Sequence, residues 1–342
     1  MKIKTVYVET TNICNLNCRT CYNRSGINKI CKEMTKNDLE HIIDLFSPFG
    51  LSRFLISGGE PTLHSEFDKI LDLADEYANL SFGIVTNGTN LHEKLIHMLN
   101  TRENITVQIS LDGSNEEYNC KTRGNGNFEK VINFASKIKN KSANPLLKMV
   151  ISQNNYDDIE NFYALALSLD FTPEFAFIFK SGNGSDGWDT KALTPQQKIK
   201  ALNLIESLNK KTGHEAFLPM PTSKCPFTNG LDDLSLCIKV EGNIQPCQML
   251  YSEEYSLGNI YLFDYDSFEV NLDKIVNIAK TRYRSDYGCK KCLINGYCGK
   301  GCIGTAVNLH DDPFTDDGDC EFRKLELISH QLRGEIQKHG QK

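Results

Sequence analysis

The amino-acid sequence predicts an α/β fold, a partial (β/α)6 TIM-like barrel followed by a small cysteine-rich domain. Two observations support this. Strand-like and helix-like segments alternate six times over the first 215 residues, and most of the thirteen cysteines fall into two groups, at residues 14–21 and 225–320. Repeated βα units imply right-handed crossovers and a parallel sheet with helices outside. We therefore place the barrel in residues 1–215 and the second domain in residues 216–342.

The predicted elements of the barrel follow from local patterns of apolar residues. The predicted strands are residues 5–9, 53–57, 81–86, 105–111, 147–152 and 173–179. The predicted helices, with apolar residues three and four apart, are residues 36–49, 66–78, 92–100, 127–140, 157–169 and 196–211. Polar and glycine-rich segments follow several strands, where parallel barrels carry their reactive groups. A final helix is predicted over residues 321–337, and only short segments are expected between residue 215 and that helix.

Composition excludes several classes of partner. The net charge is −6 and there is no long basic run, so a nucleic-acid partner is not expected. No run of 18 apolar residues suggests a membrane span, and the N-terminus lacks the apolar core of a signal peptide, so we expect a cytoplasmic protein. In a reducing compartment, clustered cysteines indicate metal or iron–sulfur ligands rather than disulfides.

The first cysteine group directly follows the first predicted strand. Cys14, Cys18 and Cys21 have the spacing C-x3-C-x2-C. Three thiolates can bind three irons of a [4Fe–4S] cubane and leave the fourth iron open to a small molecule, whereas an electron-transfer cluster is held by four cysteines. The alternatives are a structural zinc loop with a distant fourth ligand, or free buried thiols.

This motif resembles the signature of the radical S-adenosylmethionine (SAM) superfamily. The resemblance implies that the open iron binds the amino and carboxylate groups of SAM. An electron then cleaves SAM to methionine and a 5′-deoxyadenosyl radical, which abstracts hydrogen from substrate. The family usually has an aromatic residue just before the third cysteine. Here that position is Thr20, and Tyr22 follows the cysteine instead, as the candidate for contact with adenine.

The resemblance also implies a set of SAM-binding residues after the second, third and fourth strands. These residues are Gly58, Gly59, Glu60, Pro61, Thr86, Asn87, Ser110, Asp112 and Arg123. The glycine-rich motif at residues 58–61 resembles the family's motif for the SAM amino group. Glycine suits this role because it permits close approach of the backbone to a ligand. Arg123 is matched to the SAM carboxylate, which its planar fork suits. The alternatives are an ordinary turn at residues 58–61 and a solvated arginine at 123.

The second cysteine group resembles the SPASM extension of peptide-modifying radical SAM enzymes. The tail reads C-x2-C-x5-C-x3-C-x17-C, and the gap from Cys225 to Gly242 is a few residues longer than usual. The family's ligand order implies auxiliary cluster I on Cys225, Cys237, Cys247 and Cys302. It implies auxiliary cluster II on Cys289, Cys292, Cys298 and Cys320. The chain would then carry three [4Fe–4S] clusters; the alternative is a pair of zinc knuckles.

Two cysteines and one acidic segment remain outside these groups. Cys120 follows the fourth strand, at the expected mouth of the barrel, and could donate a hydrogen atom to a substrate radical; a lone cysteine such as Cys31 is more often a small apolar residue. A solvated turn is expected for the acidic residues Asp311, Asp312, Asp316 and Asp317.

The resemblance favours modification of a ribosomally synthesised peptide by a crosslink, a thioether or epimerisation. The alternatives are a dehydrogenase or epimerase of a sugar or aminocyclitol, and a non-catalytic zinc- or cluster-binding module. Since the first cysteine is residue 14, we expect a short substrate or a separate leader-binding protein, with a flavodoxin or ferredoxin as electron donor. Gln248 follows Cys247 where sulfatase-maturating relatives have an aspartate. An amide is a poor base, which argues against that reaction.

Overall fold

The computed structural model describes residues 1–26, 30–140, 144–219, 224–282, 287–295 and 298–339, with backbone alone for residues 229, 287, 288 and 330–339. The strands are β1 (Ile3–Glu9), β2 (Arg53–Ser57), β3 (Ser81–Thr86), β4 (Ile105–Ser110), β5 (Leu146–Ile151), β6 (Thr172–Phe177), β7 (Leu234–Ile238), β8 (Asn243–Gln245) and β9 (Gly258–Asn259). The helices up to the end of the barrel are α1 (Lys36–Phe46), α2 (Phe67–Glu76), α3 (Glu93–Thr101), α4 (Glu116–Arg123), α5 (Phe128–Ser136), α6 (Ile159–Ser168), α7 (Trp188–Lys191) and α8 (Pro195–Thr212). The later helices are α9 (Tyr265–Thr281), α10 (Tyr287–Lys290), α11 (Ile303–His310) and α12 (Cys320–His339).

The strands of the described residues form one open sheet. Its order is β6-β5-β4-β3-β2-β1-β7-β8-β9, with β1 to β6 parallel in sequence order and β7 parallel to β1 on its other side. β8 and β9 then pair antiparallel. The sheet does not close on itself, so the architecture is the partial barrel that the sequence predicts. All six predicted strands are present, and their bounds differ by at most two residues.

The helices of the barrel form where the sequence supplies both a cap and an apolar face. Thr35 caps α1 in a reciprocal arrangement with Asp38, and α1 buries its apolar face against the sheet. Thr194 caps α8, which has Pro195 at its first position and ends at Gly213 with a positive φ of 73°. Among the described residues, no helix is both long and apolar enough to cross a bilayer.

The strands place apolar and polar side chains on opposite faces. On β1, Val6 and Val8 are fully buried beneath the helices, whereas Tyr7 and Glu9 lie on the inner face. On the inner face of the neighbouring strands, Ser110 is paired in register with Lys148, and Lys148 with Glu174. The Lys148 ammonium lies 2.8 Å from a Glu174 carboxylate oxygen. The interior of the barrel is therefore polar and carries charged side chains.

The cysteine-rich region extends the barrel sheet, since β7 pairs with β1. The expectation of only short segments there is wrong, because α9 has 17 residues and buries Phe268, Leu272, Ile275 and Val276. The solvated-turn prediction is also wrong for Asp317, which is 5% exposed. The predicted final helix is present as α12, and it is joined to α8 by a hydrogen bond of 2.8 Å from Gln196 to Glu321. The boundary at residues 215 and 216 follows α8 closely, and the sheet continues across it.

Candidate active site

The three-cysteine motif lies in a long segment after β1, here named the cluster loop (residues 10–26). The loop after β2 holds its first half by backbone hydrogen bonds. The Thr10 amide donates to the Ser57 carbonyl at 2.9 Å, the Gly59 amide donates to the Thr11 carbonyl at 2.6 Å, and the Glu60 amide donates to the Ile13 carbonyl at 2.8 Å. The cluster loop therefore continues the pairing of β1 with β2 beyond the ends of both strands.

The glycines after β2 are required by this contact. A Cβ atom on Gly59 would lie 2.1 Å from the Ile13 carbonyl oxygen, and one on Gly58 would lie 2.3 Å from the Thr11 carbonyl oxygen. Gly58 also has a φ of +141°, which L-residues rarely adopt. The close backbone approach predicted for these glycines is thus made to the cluster loop, and contact with the SAM amino group stays a prediction.

The segment after β6 holds the second half of the cluster loop. The Asn183 amide donates to the Cys21 carbonyl at 2.8 Å, and the Asn183 side chain donates to the Cys18 carbonyl at 2.9 Å. The Ser181 hydroxyl donates to the Tyr22 carbonyl at 3.1 Å, and the Lys191 ammonium donates to the Arg19 carbonyl at 3.0 Å. The segments after β2 and after β6 therefore both hold the loop that carries the cysteines.

The thiols of the cluster loop lie in a sheltered, partly polar environment. Burial raises the pKa of Cys14 to about 12, and it raises the pKa of Cys18 to about 11, where Arg123 opposes the effect. The Leu16 amide donates to the Cys14 sulfur at 3.4 Å, and the Asn87 side-chain amide lies 3.8 Å from the same sulfur. Such N–H groups stabilise a thiolate, which is the form that binds metal.

Glu60 links the glycine-rich loop to the end of β3. Its carboxylate is 1% exposed and accepts hydrogen bonds from the Thr86 hydroxyl at 2.6 Å, the Asn87 amide at 2.7 Å, and the Thr62 hydroxyl and amide at 2.7 and 3.2 Å. Burial raises the pKa of Glu60, and these donors oppose the rise. Glu60, Thr86 and Asn87 are thus brought together, and Pro61 begins the short helical turn that carries Thr62.

Asp112 and Arg123 also meet, beside the cluster loop. Arg123 Nε lies 2.9 Å from Asp112 Oδ2, and both side chains are almost fully buried. The contact is a buried ion pair, and apart from each other neither atom has a described partner. The Asn119 side-chain nitrogen and the Thr122 hydroxyl, on the same helix α4, are likewise buried without a described partner.

These buried polar atoms fit a polar ligand at this end of the barrel. Two buried polar groups without a partner, next to a buried ion pair, are costly unless something hydrogen-bonds to them, and SAM carries a carboxylate and an amine. Among the described residues, no three Cys, His, Asp or Glu side chains lie as close together as the ligands of one metal ion. A cubane distributes its thiolates over separate irons, and three cysteines on one loop leave its fourth iron for a small ligand. The donor set therefore fits a cubane with SAM.

Tyr22 lies on the β1 side of the barrel. Its hydroxyl donates to the Tyr7 hydroxyl at 3.4 Å, and Tyr7 donates to the Ser57 hydroxyl at 2.5 Å. Burial raises the pKa of both phenols well above 10. Contact between Tyr22 and adenine stays a prediction, because its described partners are the residues of this inner face.

Sequence reasoning missed a buried ion pair next to these phenols. The Lys239 ammonium lies 2.7 Å from a Glu9 carboxylate oxygen and 3.3 Å from the Asn23 side-chain oxygen. Burial lowers the pKa of Lys239, but Glu9, Cys237 and Glu241 together outweigh it, so the pKa is raised. The alternation of Tyr7 and Glu9 with Val6 and Val8 could have indicated polar residues facing inward, but nothing local connects them to residue 239.

Two further candidates lie at the edge of this region. Cys120 is part of α4 rather than a loop, and its thiol donates to the Glu117 carbonyl at 3.3 Å. Ser110 ends β4 and is half-buried beside Lys148 in the sheet register. Cys31 is exposed.

The upstream cysteines and Cys302 come together beside β7. Burial raises the pKa of Cys247 to about 12, and the charges of Cys302 and Cys225 contribute to the rise. Burial also raises the pKa of Cys225, to about 11, again with a contribution from Cys302, and Cys237 interacts with Cys247. Cys225, Cys247 and Cys302 therefore lie within range of one another's charge, as Cys237 does with Cys247, and their assignment to one cluster stays a prediction.

The second set is gathered in part. Cys298 contributes to the raised pKa of Cys320 at the start of α12, for which burial is the main cause. Cys289 and Cys292 form a turn, in which the Cys292 amide donates to the Cys289 carbonyl at 3.1 Å. Whether that turn joins Cys298 and Cys320 around one cluster stays a prediction.

Comparison with known proteins agrees with this geometry. Residues 8–166 match the model of the Radical SAM superfamily. The chain is 27% identical to the mycofactocin maturase of Mycolicibacterium smegmatis over 262 residues, and the match covers 74% of this chain. It spans 66% of the length of that relative, a little under two thirds. It is 25% identical to the antilisterial bacteriocin subtilosin biosynthesis protein of Bacillus subtilis, over 94% of this chain and 71% of that one. A solved structure titled native anSMEcpe with bound AdoMet and Cp18Cys peptide shares the fold, with a TM-score of 0.75, 20% identity and coverage of 99% and 100%.

Fold and site together define a partial-barrel protein with a three-thiolate loop at the carboxyl end of its first strand. Residues 8–166 carry a radical SAM domain, and the cysteine-rich C-terminal region fits a SPASM-type domain.

Proposed function

We propose that this chain is an enzyme that cleaves SAM reductively and uses the resulting radical to modify a ribosomally synthesised peptide. The observation that carries the proposal is the position of Cys14, Cys18 and Cys21. They lie on a loop at the carboxyl end of the barrel strands, and hydrogen bonds from the segments after β2 and β6 hold that loop. A cluster bound there supplies the electron that cleaves SAM. The barrel residues bind, orient and shelter the reactants.

The residues around the cluster loop have distinct roles in this proposal. Arg123 would pair with the SAM carboxylate, because its guanidinium is buried beside Cys18 and is fixed through its Nε by Asp112. Asp112 would hold Arg123 in place. Glu60 accepts four hydrogen bonds within the protein, so it would mainly fix the end of β3 and the glycine-rich loop against the cluster loop.

The peptide as substrate class is supported by the relatives. The mycofactocin maturase and the subtilosin biosynthesis protein are named for peptide products, and the anSMEcpe structure holds a peptide. The polar interior of the barrel, with Ser110, Lys148 and Glu174 in one row, offers hydrogen-bonding groups to a peptide backbone. A separate leader-binding protein and a flavodoxin or ferredoxin as electron donor complete the proposal.

The auxiliary cysteines would hold two more [4Fe–4S] clusters, with the ligand sets given above. Eight cysteines satisfy two cubanes. Each cluster would then have no iron open to substrate, which favours a role in electron transfer or in holding the fold.

A precursor peptide encoded beside the gene provides the test. Peptide, SAM and dithionite are incubated anaerobically with the enzyme, and the peptide mass and 5′-deoxyadenosine are measured. A loss of two hydrogens from the peptide in step with deoxyadenosine, or deuterium uptake at one α-carbon from heavy water, supports peptide modification. Deoxyadenosine with an unchanged peptide, together with turnover of a sugar or aminocyclitol, would assign the chain to small-molecule chemistry.

Epimerisation would require a hydrogen-atom donor, and Cys120 is the thiol we propose for it. Cys120→Ala should then abolish the epimerised product while deoxyadenosine still forms. Unchanged turnover of this variant would exclude the role, and Cys31→Ala, at an exposed position, is the matched control.

A further inference from the structure

A buried ion pair lies between the two auxiliary cysteine sets. Arg323 Nη1 lies 2.6 Å from Asp317 Oδ1 and 2.9 Å from Asp317 Oδ2, and the two side chains are 3% and 4% exposed. Asp317 belongs to the acidic segment before α12, and Arg323 lies in the first turn of that helix. A buried pair of this kind is costly to desolvate and is weak evidence for stability alone.

The pair contacts the first set directly. The backbone amide of Cys302, a proposed ligand of auxiliary cluster I, donates a hydrogen bond of 2.8 Å to Asp317 Oδ2. Gly301 precedes this cysteine with a φ of +77°, and a Cβ there would lie 1.9 Å from Asp317 Oδ2 and 2.3 Å from Arg323 Nη1. The carboxylate and guanidinium are thus packed against the backbone that carries Cys302.

The pair also borders the second set. Burial lowers the pKa of Arg323, but the negative charges of Asp317, Cys298 and Asp319 together outweigh it, so the pKa is raised. Arg323 and Lys324 counteract the burial that raises the pKa of Cys320. One cation and one anion therefore lie next to proposed ligands of both clusters.

We propose that the Asp317–Arg323 pair sets the reduction potentials of the auxiliary clusters that these cysteines would hold. The inference rests on the ligand sets in the proposed function. Reduction adds one negative charge to a cluster, so a nearby cation favours the reduced form and a nearby anion disfavours it. In a buried site these effects are weakly screened by salt. The same pair would act on the potentials of both clusters.

The test is a redox titration of the reconstituted enzyme, followed by electron paramagnetic resonance. Arg323→Gln removes the cation and should lower the auxiliary reduction potentials. Asp317→Asn removes the anion, keeps an oxygen for the Cys302 amide, and should raise them. Arg323→Lys retains the charge and should shift them less than Arg323→Gln. Lys69→Gln removes an exposed cation from the barrel helix α2 and should have the smallest effect.

Opposite shifts for Asp317→Asn and Arg323→Gln would support the proposal, since structural damage would not reverse sign with charge. Shifts in the same direction, or none, with iron content and SAM cleavage intact would overturn it and leave the proposed function standing. About four irons per wild-type chain, with SAM cleavage retained, would overturn the ligand sets and this inference together.

Discussion

The Lys239 ammonium lies 2.7 Å from the Glu9 carboxylate, where β1 and β7 end side by side. Glu9 is at the end of the strand that leads into the cluster loop, and Lys239 directly follows the strand that carries Cys237. The pair is nearly excluded from water, with side-chain exposures of 4% and 14%. It therefore joins the barrel to the cysteine-rich region by a buried charge contact.

Replacing Lys239 by methionine should destabilise the fold by about 3–5 kcal/mol, because it leaves the Glu9 carboxylate buried without its cation. The double variant Lys239→Met with Glu9→Gln should recover most of that loss. Unfolding by urea measures both. Arg24→Ala breaks the exposed Arg24–Asp186 pair and should cost less than about 1 kcal/mol. A Lys239→Met variant as stable as the wild type would show that Glu9 is not held by this charge.

Gly59→Ala should displace the cluster loop, since the added Cβ would meet the Ile13 carbonyl oxygen at 2.1 Å. We expect this variant to bind about four irons fewer per chain after reconstitution. Gly26→Ala is the matched control on the same loop, because no atom lies within 4 Å of its added Cβ. Equal iron content in the two variants would contradict the role assigned to the glycine-rich loop.

Arg123→Gln should weaken SAM binding by about ten- to a hundredfold, the value of a charge-assisted hydrogen bond. Arg123→Lys keeps the charge but not the planar fork of the guanidinium, so its affinity for SAM should lie between those of the wild type and Arg123→Gln. Lys121→Gln, at an exposed position of the same helix, should have no effect. Arg123→Gln leaves the buried Asp112 carboxylate without its cation, which could destabilise the site by itself. The double variant Arg123→Gln with Asp112→Asn, which removes both charges, should therefore be tested beside it. Wild-type affinity for SAM in both arginine-free variants would remove Arg123 from the site.

Helix α3 should lose stability in acid, because His92 is its N-cap. Its Nδ1 accepts a hydrogen bond from the Leu95 amide at the start of α3, which only the neutral ring can do. Burial lowers the pKa of His92, although Asp68 opposes this. A lowered pKa contributes stability above the unfolded value, and that contribution is lost as the pH falls through the folded value, below about pH 6.5.

His92→Asn supplies a cap that does not titrate. Between pH 7 and pH 5 the wild type should therefore lose about 1 kcal/mol of unfolding free energy relative to this variant. A difference that stays constant over this range would mean that the ring does not act as an N-cap.

The barrel could be predicted from the sequence because its signals are local. Strand bounds follow from short apolar runs, and the loop of Cys14, Cys18 and Cys21 is contained in eight residues. The clustering of Glu60, Thr86 and Asn87 follows from the rule that parallel strands end at one edge.

The remaining features depend on long-range contacts. Glu9 and Lys239 are 230 positions apart, and no pattern near either residue indicates the other. The solvated-turn prediction for Asp317 was wrong because its carboxylate is buried between Arg323 and the backbone amide of Cys302, which lies 15 positions earlier. Helix α9 was not predicted, because its apolar spacing at Phe268, Leu272 and Ile275 lies in a region where cysteines and turn residues dominate the pattern.

The most direct measurement is iron, sulfide and 5′-deoxyadenosine per chain after anaerobic reconstitution, with dithionite and SAM added. It compares the wild type with the variant in which Cys14, Cys18 and Cys21 are all alanine. We predict about twelve irons and deoxyadenosine for the wild type, and about eight irons and no deoxyadenosine for the variant. Zinc in place of iron, or deoxyadenosine formed by the variant, would contradict a SAM-cleaving cluster on this loop.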